Sequence, residues 1–177
     1  QLYPRHCIAP SEAVARQLRA QGGRKSPRRI EVIPHGIDVP AAVTPRGEKG
    51  SAAFAWVGRI EEEKGLSDVI DVIASLRDRT AQGLRLEVVG DGSLRSSLER
   101  HCLDEGLEDL VRFHGWLRKP FDELPPVRAL IFSSRALDGF GYVNLEAMAR
   151  GIPVIASGLP VLDEMITDGV SVFTYSR

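Results

Sequence analysis

The chain has 177 residues, with 23 basic and 24 acidic side chains and a net charge of −1. That length holds one sizeable core, or one domain plus part of another, and the near-neutral balance selects neither nucleic acid nor an anionic lipid surface. Cys7 and Cys102 stand far apart and His6, His35, His101 and His114 are scattered, which gives no disulfide framework and no metal set and fits a reducing cytoplasm. No run approaches the ~20 apolar residues of a membrane span, and no signal peptide is visible. The chain starts at Gln1, which reads as a piece of a longer protein.

In chain order, Ser11 caps an expected helix that runs through Val14 and Leu18 and ends near Gly22-Gly23. A basic run, Arg24-Lys25-Ser26-Pro27-Arg28-Arg29, precedes a strand-like Ile30-Glu31-Val32-Ile33. Pro34, Pro40 and Pro45, interleaved with Gly36, Gly47 and Gly50, mark a linker. From residue 51 strand and helix patterns alternate. Short Val- and Ile-rich runs at 52–57, 84–89, 111–116, 129–133, 153–156 and 170–174 read as strands covered on both faces. Leu66, Val69, Ile70, Ile73 and Leu76 form one apolar helical face, and Leu94, Leu98 and Cys102 align on a second helix over 93–105. This alternation predicts an α/β fold with a doubly wound parallel sheet.

The stretch richest in chemistry is Asp138-Gly139-Phe140-Gly141-Tyr142-Val143-Asn144-Leu145-Glu146. Glycines at a strand-to-helix turn let the backbone approach a ligand, and the helix start offers unpaired N–H groups to an anion, most often a phosphate. Gly139, Phe140 and Gly141 are the proposed cradle; the competing reading is a tight turn without a ligand. Glu146 falls about one turn later, among Leu145, Ala147, Met148 and Ala149. An ionised carboxylate there needs donors, and sugar hydroxyls supply them; an exposed glutamate paired with Arg150 is the alternative. Phosphate on amides and hydroxyls on a carboxylate describe a nucleotide-sugar pocket. Asp138 serves that pocket or caps the helix after Gly141.

Arg59 and Lys64 follow the first strand of this region. Fixed cations stabilise a leaving diphosphate at ~1.5–3 kcal/mol per charge-assisted bond, unless both are solvated and Lys64 merely opposes Glu61, Glu62 and Glu63. No two aspartates are separated by one position, so a D-x-D metal motif is absent and cations rather than a metal are expected at the diphosphate. Gly90 and Gly92 shape a turn under the nucleotide. His35 reads as a hinge residue.

These segments resemble glycosyltransferase family 4, retaining enzymes of the GT-B fold. Asp138 stands where the family's first glutamate is usual, the spacing to Glu146 is kept, and Leu145-Glu146-Ala147-Met148-Ala149 is intact. Ile33-Pro34-His35-Gly36-Ile37-Asp38 resembles the family's I-P-N-G-V-D linker, with His35 in place of Asn. Val57-Gly58-Arg59 with Lys64-Gly65, Val89-Gly90-Asp91-Gly92, Val154-Ile155-Ala156-Ser157 and Asp168-Gly169-Val170 follow in family order. The resemblance implies a Rossmann-like C-terminal domain at 51–177, C-terminally incomplete, preceded at 1–50 by the end of an N-terminal domain and its linker. It implies Asp138, Lys64 and Arg59 as catalytic residues, with Asp138 at the sugar 3- and 4-hydroxyls. Glu146, Gly139, Phe140, Gly141, Gly90, Gly92 and Gly58 would bind the donor, with UDP or GDP as its nucleotide and no metal or other cofactor. A glycan or lipid-linked acceptor would bind largely through the missing N-terminal domain. The full enzyme would work in the cytoplasm, with peripheral association at the inner face of the membrane as an option. Two other readings stay open. One is a sugar-nucleotide module without transferase activity. The other is a dinucleotide-binding domain, although Gly90-x-Gly92 lacks the third glycine of that fingerprint, and no P-loop occurs.

Overall fold

The computed structural model describes residues 5–22, 27–40, 53–77, 84–135, 141–162, 164 and 172–175. Residues 5–40 hold a small unit: β1 (His6–Ala9) pairs in parallel with β2 (Arg29–Val32), and α1 (Glu12–Gly22) connects them. Ser11 caps α1, its Oγ accepting from the Val14 N–H at 3.2 Å. β1 went unforeseen because its four residues carry a mixed burial pattern without clean alternation.

The main sheet has six parallel strands in the order β5-β4-β3-β6-β7-β8. They are β3 (Ala53–Val57), β4 (Arg85–Val89), β5 (Val111–Gly115), β6 (Ala129–Phe132), β7 (Val154–Ser157) and β8 (Val172–Tyr175). The chain steps outward from β3 to β5, returns across the sheet, and lays β6 on the other side of β3. Right-handed crossovers in opposite directions put their helices on opposite faces. This is the doubly wound sheet that the alternation predicts.

Two apolar cores result. On one face α2 (Leu66–Leu76) and α3 (Arg95–Asp104) bury Leu66, Ile70, Ile73, Leu98 and Cys102 against Trp56, Leu86 and Val88. On the other, α4 (Pro120–Glu123), α5 (Tyr142–Met148) and residues 161–162 pack Phe121, Ala147, Val161 and Leu162 on Ala55, Leu130, Phe132 and Val154, with Ala13 of α1 in the same cluster. Alternation along β3 and β6 divides these residues between the faces, as the two-residue period requires. α4 went unforeseen in the sequence; its signal was Pro120 at the first helical position with Asp122 and Glu123 behind it.

Several boundaries differ from expectation for local reasons. The second amphipathic helix starts at Arg95, not at residue 93, because the Ser93 N–H and Oγ both bind the Glu61 carboxylate (3.0 and 2.5 Å). β5 stops at Gly115, whose φ of 74° turns the chain and leaves Trp116 exposed. β7 runs one residue further than expected, to Ser157, which donates to the Ser134 carbonyl at 2.8 Å. β8 begins at Val172; residues 170–171 lie outside the described residues.

Candidate functional site

A cleft of about 500 Å³ opens where the strand order reverses, between β3 and β6. Crevices at such a switch point, beyond the carboxyl ends of the strands, are where open α/β sheets bind ligands. Gly58, Arg59, Lys64, Gly141 and Glu146 all line it, joined by Trp56, Ser133, Ser134 and Tyr142 and by Pro10 and His35 of the small unit. Residues 88 positions apart in sequence, Gly58 and Glu146, thus share one cavity.

Arg59 leaves the end of β3 on a loop that β4 holds from behind. The Gly58 N–H donates to the Val89 carbonyl and the Ile60 N–H to that of Asp91. Gly90 has a φ of 136°, and a Cβ there would sit 1.8 Å from the Gly58 carbonyl oxygen. A Cβ on Gly92 would sit 2.3 Å from that of Ile60. Both glycines are therefore demanded by the close approach of two backbones, and neither lines the cleft. They place Gly58 and Arg59.

Lys64 closes a 3-10 turn (Glu62–Lys64) that ends in the left-handed Gly65 before α2. That turn is tied to the end of β6. Ser133 Oγ donates to the Lys64 carbonyl at 2.8 Å and accepts from Trp56 Nε1 at 3.0 Å. Ser134 Oγ reaches the Glu63 carbonyl at 3.3 Å, and the Arg135 N–H donates to the same oxygen. The Arg135 guanidinium also binds Glu62, Asp68 and Ser67. This keeps it more firmly protonated, the bond to Asp68 contributing most.

The acidic run before Lys64 is thus already engaged: Glu61 with Ser93, Glu62 with Arg135, and Glu63 with Arg59 at 3.1 Å. The two hydrogen bonds from Ser93 hold the Glu61 carboxyl below its ordinary range. Sequence reasoning missed Ser133, Ser134 and Arg135 as supports. Their only signal is their place at the carboxyl end of a strand.

Gly141 opens α5 with a φ of 70°, the left-handed conformation that favours glycine. Tyr142, Val143 and Glu146 then share the helix face toward the cleft, while Ala147 goes into the core. The pairing of Glu146 with Arg150 does not form. Arg150 Nε binds Asp122 at 3.0 Å and its Nη1 binds the main-chain oxygen of Glu146. His35, expected at a hinge, stacks on Tyr142, ring centroids 5.0 Å apart at 29°, and forms part of the cleft wall. Asp138, Gly139 and Phe140 lie outside the described residues. Among the described residues no cluster of three or more His, Cys, Asp or Glu is arranged to hold a metal, and no helix is long and apolar enough to cross a membrane.

Comparison with known proteins gives this geometry a family. Residues 45–176 match the family described as glycosyl transferases group 1. A lipopolysaccharide 1,6-galactosyltransferase of Salmonella typhimurium is 31% identical over 162 residues, 88% of this chain and 43% of that protein. Among solved structures, the apo form of the lipopolysaccharide outer core galactosyltransferase WaaB is 30% identical, with a TM-score of 0.75 over 96% of this chain and 48% of its own. Anabaena Alr3699/HepE in complex with UDP and glucose shares the fold at 23% identity, with a TM-score of 0.81 over 96% of this chain and 48% of its own. The chain spans about half the length of the relatives it matches. With its doubly wound sheet and its cleft at the switch point, the chain belongs to the glycosyl transferases group 1 family.

Proposed function

We propose that this chain is the donor-binding part of a retaining glycosyltransferase that moves a hexose-type unit from a nucleoside diphosphate sugar to a hydroxyl acceptor. The observation that carries the reading is the convergence of Gly58, Arg59, Lys64, Gly141 and Glu146 on one cleft at the switch point of the sheet. Two cations and the glycine-opened start of α5 suit a diphosphate, and a carboxylate on the neighbouring helix turn suits ribose hydroxyls. UDP is the favoured nucleotide, since the Anabaena neighbour holds UDP and glucose.

In this reading Glu146 accepts hydrogen bonds from the ribose 2′- and 3′-hydroxyls and fixes the nucleotide. Arg59 and Lys64 stabilise the charge that grows on the leaving diphosphate, and no metal is required. Arg59 swings from Glu63 to the phosphate, exchanging an exposed ion pair of small worth for a more strongly charged partner. Asp138 orients the transferred sugar at its 3- and 4-hydroxyls. The leaving phosphate deprotonates the acceptor on the same face, which keeps the anomeric configuration. The acceptor, a glycan or lipid-linked sugar, is held largely by the rest of the protein, and the whole enzyme works in the cytoplasm at the inner face of the membrane.

The test is calorimetry with UDP, GDP and ADP on this chain and its Glu146→Ala variant. Binding should persist in EDTA, and the substitution should weaken it by ~1.5–3 kcal/mol, the scale of charge-assisted bonds, with the fold intact. Unchanged affinity for the preferred nucleotide would remove Glu146 from the ribose. A strict need for Mg²⁺ or Mn²⁺ would overturn the metal-free chemistry.

A further inference from the structure

α1 begins with N–H groups that no residue of the helix can satisfy. Ser11 Oγ takes the Val14 N–H. The two before it, on Glu12 and Ala13, go to a single carboxylate 151 and more positions away: Glu164 accepts from Glu12 at 2.7 Å through Oε2 and from Ala13 at 2.6 Å through Oε1. Arg16, one turn further along, lies 3.6 Å from the same carboxylate. A negative charge at the positive end of a helix, bonded by both oxygens and faced by a cation, is a strong and directional attachment. Beside it, Ala13 is buried in the same apolar cluster as Val161 and Leu162.

This attachment bears on the cleft. Among the described residues, Pro10, immediately before the cap, and His35, three residues beyond β2, are the two that the small unit contributes to the cavity wall. Pro10 sits in the connection from β1 to α1 and His35 follows β2, so both are carried by the unit whose helix Glu164 grips. His35 in turn stacks on Tyr142 in the first turn of α5, beside Glu146. We propose that Glu164 is a positioning residue: by clamping the start of α1 it fixes the Pro10 and His35 wall against the nucleotide cleft. Glutamate has the length to span two successive amides from the loop after β7, and no acid of α1 serves instead, since Glu12 pairs with Arg19.

The test compares Glu164→Ala and Glu164→Gln in this chain by three measurements. Amide hydrogen exchange at Glu12 and Ala13 should quicken about tenfold in the alanine variant, the equivalent of roughly 1.4 kcal/mol. The His35 ring resonance, assigned with His35→Asn, should move to the position it takes when Tyr142→Leu removes the stack. UDP affinity should fall about tenfold, again roughly 1.4 kcal/mol. Glutamine keeps the reach and one good acceptor, so it should restore most of all three. Either slow exchange or an unmoved His35 resonance in Glu164→Ala overturns the clamp. So does wild-type UDP affinity in that variant. Only the affinity measurement rests on the nucleotide reading. Should the parent chain bind no nucleoside diphosphate, that reading fails by itself, and exchange with the His35 resonance still decides the clamp.

Discussion

The two halves of the main sheet are built by different rules. β3, β4 and β5 are covered by α2 and α3, helices of 11 and 10 residues whose apolar faces fill one core. β6 and β7 are covered by helices of only 4 and 7 residues, and their core borrows Ala13 from the small unit and Val161 and Leu162 from a loop. The second half also buries Asn144 completely with neither amide atom hydrogen-bonded, a cost of ~1–3 kcal/mol. Among the described residues the first half has no such group. Its buried carboxyl group, that of Glu87, is met by His114 at 2.5 Å. Long periodic helices back the first half as a platform, and short ones leave more of the second half's core to loops. The cleft forms where platform and irregular half meet, taking Gly58, Arg59 and Lys64 from one and Gly141 and Glu146 from the other.

Three substitutions sharpen that contrast. Gly90→Ala strikes the platform and should be the most damaging. Strain at a φ of 136° costs ~1–3 kcal/mol, and overpacking against the Gly58 carbonyl adds ~1–3 kcal/mol. Thermal unfolding should report a loss near the sum, and stability equal to wild type would show that β3 and β4 approach less closely than described.

Ser133→Ala strikes the seam between the halves. It orphans the buried Trp56 N–H and the bond that holds the Lys64 carbonyl, which should cost ~1–3 kcal/mol. Nucleoside diphosphate affinity should fall more than the affinity for the bare nucleoside, because the loosened turn carries Lys64. An equal loss for both ligands would sever the turn from the phosphate.

Asp122→Asn strikes the irregular half alone and should do least, about 0.2–1 kcal/mol for a pair with an exposed partner. The bond from Arg150 holds the Asp122 carboxyl below its ordinary range. A depressed carboxyl contributes its stability above the ordinary carboxylate range and loses it as pH falls through the folded value. Wild type and variant should therefore differ at neutral pH and converge in acid. A difference that persists in strong acid would mean that Asp122 acts through packing and not through charge.

Much of the platform was legible in the residues themselves. The spacing of Leu66, Val69, Ile70, Ile73 and Leu76 marks the apolar face of α2, and five of the six main strands fall within one residue of the apolar runs that announce them, the sixth within two. A period is a local property, so it survives without knowledge of the partner surface. β1 mixes exposed and buried positions without clean alternation, and α4 is a single turn, too short for a helical period to register. Gly90 and Gly92 were legible as glycines that matter but not for what, because the atoms excluding a Cβ belong to Gly58 and Ile60, some thirty residues earlier.

By itself the sequence determined the alternation of strand and helix, the doubly wound sheet, and residues of the right chemistry at strand ends, because each depends on patterns a few residues long. Tertiary structure alone decided which of them meet. It brought Glu146 into one cavity with Gly58, Arg59 and Lys64, gave Arg150 to Asp122, backed the Arg59 loop with two glycines of β4's end, and set Glu164 on the start of α1. Contacts between residues so far apart in sequence follow from the strand order, and no local pattern encodes it.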